Sequence, residues 1–76
     1  MRVVKEIPHQ ECKITIFSWN GKFLIKLENG GFEQTYKVSE LDILEDELYE
    51  ILNDTFIAEA MERFIEMAKS LRKAIP

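Results

Sequence analysis

The chain has 76 residues, 46% of them hydrophobic and 32% charged, with a formal net charge of −4; this length holds one hydrophobic core and no second, and the composition is that of an ordered globular domain and not of a disordered tail. Fourteen acids against ten bases oppose a polyanionic ligand, because affinity for nucleic acid comes largely from Lys and Arg displacing counterions. The single cysteine, Cys12, excludes an intramolecular disulfide, and apolar runs of at most three residues are read as neither signal peptide nor membrane span, which points to a cytoplasmic protein.

A first strand is predicted over 2–7, ended by Pro8, with Val3 and Ile7 on one face. The short connection from Pro8 to Glu11 suits a hairpin into a second strand over 12–19. Asn20-Gly21 then lies between two apolar-rich runs, the strongest short-range hairpin signal in the chain. A two-residue turn there pairs Trp19 with Lys22, Phe17 with Leu24, Ile16 with Ile25, Ile14 with Leu27 and Lys13 with Glu28. Cys12, Ile14, Ile16, Phe23, Ile25 and Leu27 consequently share a core face. Lys13, Thr15, Lys22, Lys26 and Glu28 share the outer face, where Lys13 opposite Glu28 is a favourable cross-strand pair.

The third strand is predicted over 22–29 and the fourth over 32–38, joined within Asn29-Gly30-Gly31. Two registers are open. If Asn29-Gly30 form the loop, Lys26 meets Glu33, Leu27 meets Phe32 and Phe23 meets Tyr36; if Gly30-Gly31 form it, Glu28 faces Glu33, a destabilising like-charge pair. Charge therefore favours the first. In either case Phe32, Tyr36 and Val38 join the core side with Gln34, whose amide needs a partner if it is covered.

After Val38 the apolar period lengthens from two to about three and a half. Leu41, Leu44, Leu48, Ile51 and Leu52 form one helical stripe, predicting a helix over 40–53. Ser39 and Asp42 resemble a capping box, although the first turn can equally begin nearer Leu44. Asn53-Asp54-Thr55 supplies a break and a new N-cap for a second helix over 55–74, with Ile57, Ala60, Met61, Phe64, Ala68, Leu71 and Ile75 as its stripe and Lys69, Arg72 and Lys73 at its C-terminal end. The whole is an α+β fold, a four-stranded antiparallel meander (ββββ) followed by two C-terminal helices packed on one face of the sheet, in a single domain over 1–76.

Charge is unevenly spread: residues 1–38 carry +2, residues 39–54 carry −7 with no base, and residues 55–76 carry +1. The acidic stretch lacks the alternating Asp/Asn pattern and central Gly of a calcium loop and reads as a solvated helix face, or as a docking surface for a basic partner. His9 and Cys12 are three apart and unique, but spacing alone supplies neither a nucleophile–base pair nor the second ligand pair of a zinc site. Asn29-Gly30-Gly31 lies between strands and not at a helix start, so it is a turn and not a phosphate cradle. No catalytic residue, metal ligand or cofactor is assigned, and an enzyme is not expected.

Read together, Glu11-Cys12-Lys13-Ile14-Thr15-Ile16-Phe17-Ser18-Trp19-Asn20-Gly21-Lys22 and Glu33-Gln34-Thr35-Tyr36-Lys37-Val38-Ser39-Glu40 resemble a group of short uncharacterised bacterial proteins with strands first and acidic, then amphipathic, helices after. The likeness covers most of the chain. It implies a bacterial, free-standing, single-domain protein and carries over no activity, ligand or site.

What remains is the outer face. Phe17, Trp19 and Leu24 are apolar there without an evident structural reason, flanked by Lys22, Lys26 and Lys37. The bland account is a minicore, in which the cluster packs against the N-terminal segment or protects the twisted hairpin. The functional account is a contact surface of a non-enzymatic interaction module, for a protein partner or for a second copy in a homodimer. The alternative is weak single-stranded nucleic-acid binding, with bases stacked on the aromatics and phosphates on the lysines, which the acidic total disfavours.

Overall fold

The alternation of apolar and polar residues through the first half of the chain makes strands, and the longer period of the second half makes helices. A computed structural model describes all residues from Met1 to Pro76. Its elements run β1 (Arg2–Ile7), β2 (Lys13–Trp19), β3 (Lys22–Asn29), β4 (Phe32–Ser39), α1 (Glu45–Ile51) and α2 (Asp54–Ala74). The strands form one antiparallel sheet in sequence order, β1-β2-β3-β4. Both helices cover the same face of this meander, as the sequence predicts.

The β2–β3 hairpin has the predicted register from Lys13↔Glu28 to Trp19↔Lys22. Asn20 at φ 51° and Gly21 at φ 72° close it, the left-handed pair that matches the twist of the flanking strands. On the helix side, Cys12, Ile14 and Leu27 meet Ile57, Ala60 and Phe64 of α2. Ile16, Phe23 and Ile25 meet Leu48 of α1. Burying side chains such as Ile14, Ile16, Ile25, Leu27 and Leu48 completely is worth roughly 1.5–3 kcal/mol each.

Four expectations are corrected. First, the β3–β4 turn is Gly30-Gly31, so Glu28 does face Glu33, while Leu27 pairs with Gln34 and Phe23 with Val38. The like charges are reconciled by Lys26, whose Nζ stands 3.5 Å from Glu28 and 3.6 Å from Glu33. Asn29, freed from the turn, ends β3 and donates its amide to the Glu11 carbonyl at 2.7 Å, tying together the two hairpin connections at that end of the sheet. The same Lys26 contact means that Glu28 bonds to its neighbour on the strand and not to Lys13.

Second, Val3 and Ile7 lie on opposite faces. The register of β1 shifts between Val3 and Lys5, a bulge that sets Val3 opposite Phe17 outside and Ile7 opposite Ile14 inside. Val4 joins the α1 side of the core, and Lys5 reaches over the Tyr49 ring at 5.7 Å.

Third, α1 begins at Glu45 with Leu44 as its N-cap, the later of the two starts the sequence allows, and not near residue 40. Ser39 captures the following backbone in a turn, its Oγ accepting from Leu41 N–H at 3.2 Å and its carbonyl from Asp42 N–H at 3.0 Å. Leu41 and Leu44 are exposed as a result, and the helix starts where Glu47 accepts the Leu44 N–H at 2.8 Å. Fourth, the stripe of α2 is buried only as far as Phe64 and half-buried to Ala68; Leu71 and Ile75 are exposed. The N-cap of α2 is Asn53, its Oδ1 accepting from Phe56 N–H at 2.9 Å.

Candidate functional site

The outer face of the sheet is organised in rows fixed by the registers. One row crosses all four strands as Val3, Phe17, Leu24 and Lys37. The next row toward the Asn20-Gly21 turn holds Trp19, Lys22 and Ser39, and the row on the other side holds Glu6, Thr15, Lys26 and Thr35. No helix lies on this side, yet Leu24 is only 6% exposed and Thr15 4%.

The predicted apolar trio therefore divides. Leu24 is buried and its cross-strand partner Phe17 half-buried, while Trp19, two residues along on the same face, is 46% exposed. Val3, which the bulge turns outward beside Phe17, adds a second rim residue at 54% exposure. Sequence reasoning missed Val3 because a bulge that needs no glycine leaves no signal in composition. Among the candidate cations, Lys22 and Lys37 are exposed and unpaired, whereas Lys26 is held between two carboxylates.

A second feature lies between β4 and α2. Gln34, on the covered side, donates from Nε2 to the Ala60 carbonyl at 2.8 Å and accepts at Oε1 from Tyr36 Oη and Arg63 Nε, both at 3.0 Å. Arg63 Nη2 also donates to Tyr36 Oη at 2.6 Å, with the guanidinium 5.9 Å from the Tyr36 ring centre. The amide thus has the partners its position demands, and Tyr36 packs edge-on against Phe56 with ring centres 5.3 Å apart. Beside this network runs a groove with Phe32, Phe56, Met67 and Leu71 along it. The signal for it was present in the shared parity of Phe32, Gln34 and Tyr36, but not the helix face that would lie opposite.

Around Cys12 the chemistry is quiet. His9 Nδ1 accepts from Glu11 N–H at 3.1 Å, a local turn bond, and no hydrogen bond joins His9 to Cys12. The thiol is buried, and burial, with Glu11 adding to it, raises its pKa from the ordinary value of 9.0. A raised value keeps it a protonated, weakly nucleophilic thiol at neutral pH. Its contribution to stability is present below the unfolded-state pKa and is lost as pH rises through the folded one. No three His, Cys, Asp or Glu side chains gather closely enough to hold a metal ion. No helix is long and apolar enough to cross a membrane.

No family model, curated protein or solved structure matches this chain.

Proposed function

We propose that this chain is a non-enzymatic protein-interaction module whose outer sheet face takes a protein partner at Trp19 and Val3. The observation that carries the reading is the exposure of these two side chains beside the apolar cross-strand pair Phe17 and Leu24, on the one face of the sheet that no helix covers. Trp is enriched at the centres of protein interfaces because it buries a large rigid surface at small entropic cost. The same geometry counts against a nucleic-acid platform. Leu24 is sealed, Phe17 is half-buried, Lys26 is paired with two acids, and a lone tryptophan remains for stacking on a chain of net charge −4.

A photo-crosslinking residue in place of the exposed Lys22, the cross-strand partner of Trp19, with Glu62 on the exposed face of α2 as the control position, tests the reading in cells. A protein adduct of defined mass is expected from position 22, lost when Trp19→Ala is added, and not from position 62. Equal yields at the two positions would sink it. In parallel, Trp19 fluorescence is expected to be unmoved by a mixed-sequence single-stranded oligonucleotide at low salt; quenching abolished by added salt would give the face to nucleic acid instead.

A further inference from the structure

The two edges of the sheet are built differently. On β1 the bulge between Val3 and Lys5 interrupts the edge, and Pro8 follows its last residue. Both are devices that stop another strand from adding. On β4 neither is present: its eight residues pair with β3 without a break, and contain no Pro or Gly.

The direction of the backbone groups follows from one bond. Glu40 N–H donates to the Gly21 carbonyl at 2.9 Å, just beyond the Lys22↔Ser39 pair. Bonded pairs recur at every second residue of an antiparallel ladder, so Val38, Tyr36, Gln34 and Phe32 turn their backbone groups to β3. Glu33, Thr35, Lys37 and Ser39 turn theirs outward, to an edge no other strand of the chain occupies.

We propose that β4 is a dimerisation edge, pairing antiparallel with β4 of a second copy about a twofold axis through Thr35. Axes at Gln34, Thr35 or Tyr36 all keep outward groups facing outward groups. They differ in charge. With the axis at Gln34, Glu33 meets Thr35; with the axis at Tyr36, Lys37 meets Thr35. Only the axis at Thr35 sets Glu33 opposite the second copy's Lys37, and symmetry makes that pair twice. It also sets Thr35 opposite itself, Gln34 opposite Tyr36 and Phe32 opposite Val38.

Glu33 is available for this, since its side chain is 58% exposed even with Lys26 nearby. The product is an eight-stranded sheet, four strands from each copy, with all helices on one face. The groove along Phe32, Phe56, Met67 and Leu71 lies beside this edge and would be closed by the second copy. The pairing uses neither Trp19 nor Val3, so it goes beyond the outer-face reading and stands or falls separately from it.

Light scattering on the full chain is expected to give about twice the 9.0 kDa of one copy. Amide exchange of Glu33, Thr35 and Lys37 should be slow in the dimer and quicken on dilution, while Gln34 and Tyr36 stay protected throughout. Glu33→Lys or Lys37→Glu alone places like charges opposite one another twice and should weaken self-association by roughly tenfold or more. An equimolar mixture of the two variants should recover it, because each introduced charge then faces its opposite; this rescue keeps the test decisive even if one variant is less stable. Thr35→Pro removes an outward N–H without touching the β3 ladder and should give a monomer. A wild-type chain that stays monomeric at all concentrations overturns the proposal. So does a mixture no tighter than its components, or a dimer that Trp19→Ala dissolves and Thr35→Pro does not.

Discussion

Gly30 and Gly31 show how much a single backbone angle decides. An added Cβ meets nothing within 4 Å at either position, but Gly30 holds φ at +60°, whereas Gly31 is outside the left-handed region. Gly30→Ala is therefore expected to destabilise the fold by about 1 kcal/mol, and Gly31→Ala to change it by less than about half of that, as read from urea unfolding. Equal effects would mean that the turn is not formed by these two residues. Cross-strand charge selects Asn29-Gly30 as the turn where Gly30-Gly31 closes it, because Glu28 and Glu33 do not face each other as an isolated pair. Lys26 reaches both, and a pairwise rule does not see a third charge. Gln34 is the opposite case: its need for a partner was legible from its parity, and Ala60, Tyr36 and Arg63 supply it.

At the level of elements, β2, β3, β4 and α2 were legible because each repeats one period over many residues, and Asn20-Gly21 and Asn53 are strong breaks between elements. α1 was legible only in part. Leu41 and Leu44 have helical spacing to Leu48, yet the Ser39 turn occupies the backbone ahead of the helix and leaves them in solvent. This short helix is consequently held by Leu48, fully buried against Ile16, Phe23 and Ile25. Leu48→Ala should cost about 2–5 kcal/mol, while Leu41→Ser and Leu44→Ser should each stay within about 0.5 kcal/mol. Chemical denaturation distinguishes the two classes; a large loss at Leu44 would place the start of α1 nearer the predicted residue 40. The bulge in β1 and the outward turn of Val3 had no counterpart in any sequence period, so half of the rim of the candidate site was invisible until the register was known.

For the whole molecule, unpaired acids outnumber the ion pairs. Three ion pairs, all on the surface, set Lys26 against Glu28 and Glu33 and Lys69 against Glu66. Of the fourteen acids the other eleven stand outside these pairs, and seven of them fall from Glu40 to Asp54 with no base among them. Surface pairs contribute little, and the repulsion within that acidic stretch is screened within about 10 Å at 0.1 M salt. Raising sodium chloride at pH 7 is therefore expected to raise the melting temperature, measured by circular dichroism. A fall would show that the few attractive pairs outweigh the repulsion. With 12 of 76 residues buried, the isolated chain has a small reserve of core, and a stabilising increment at either surface is a sizeable share of its total.

The bulge at Val3 and Lys5 bears on this in another way. A sheet open along both edges is a monomer for linear growth, since each addition exposes a fresh edge identical to the one just filled. Closing β1 while leaving β4 open makes addition self-limiting at one step. The one extra residue in β1 thus works as a chain stopper in the polymer sense, separating a countable assembly from a fibre.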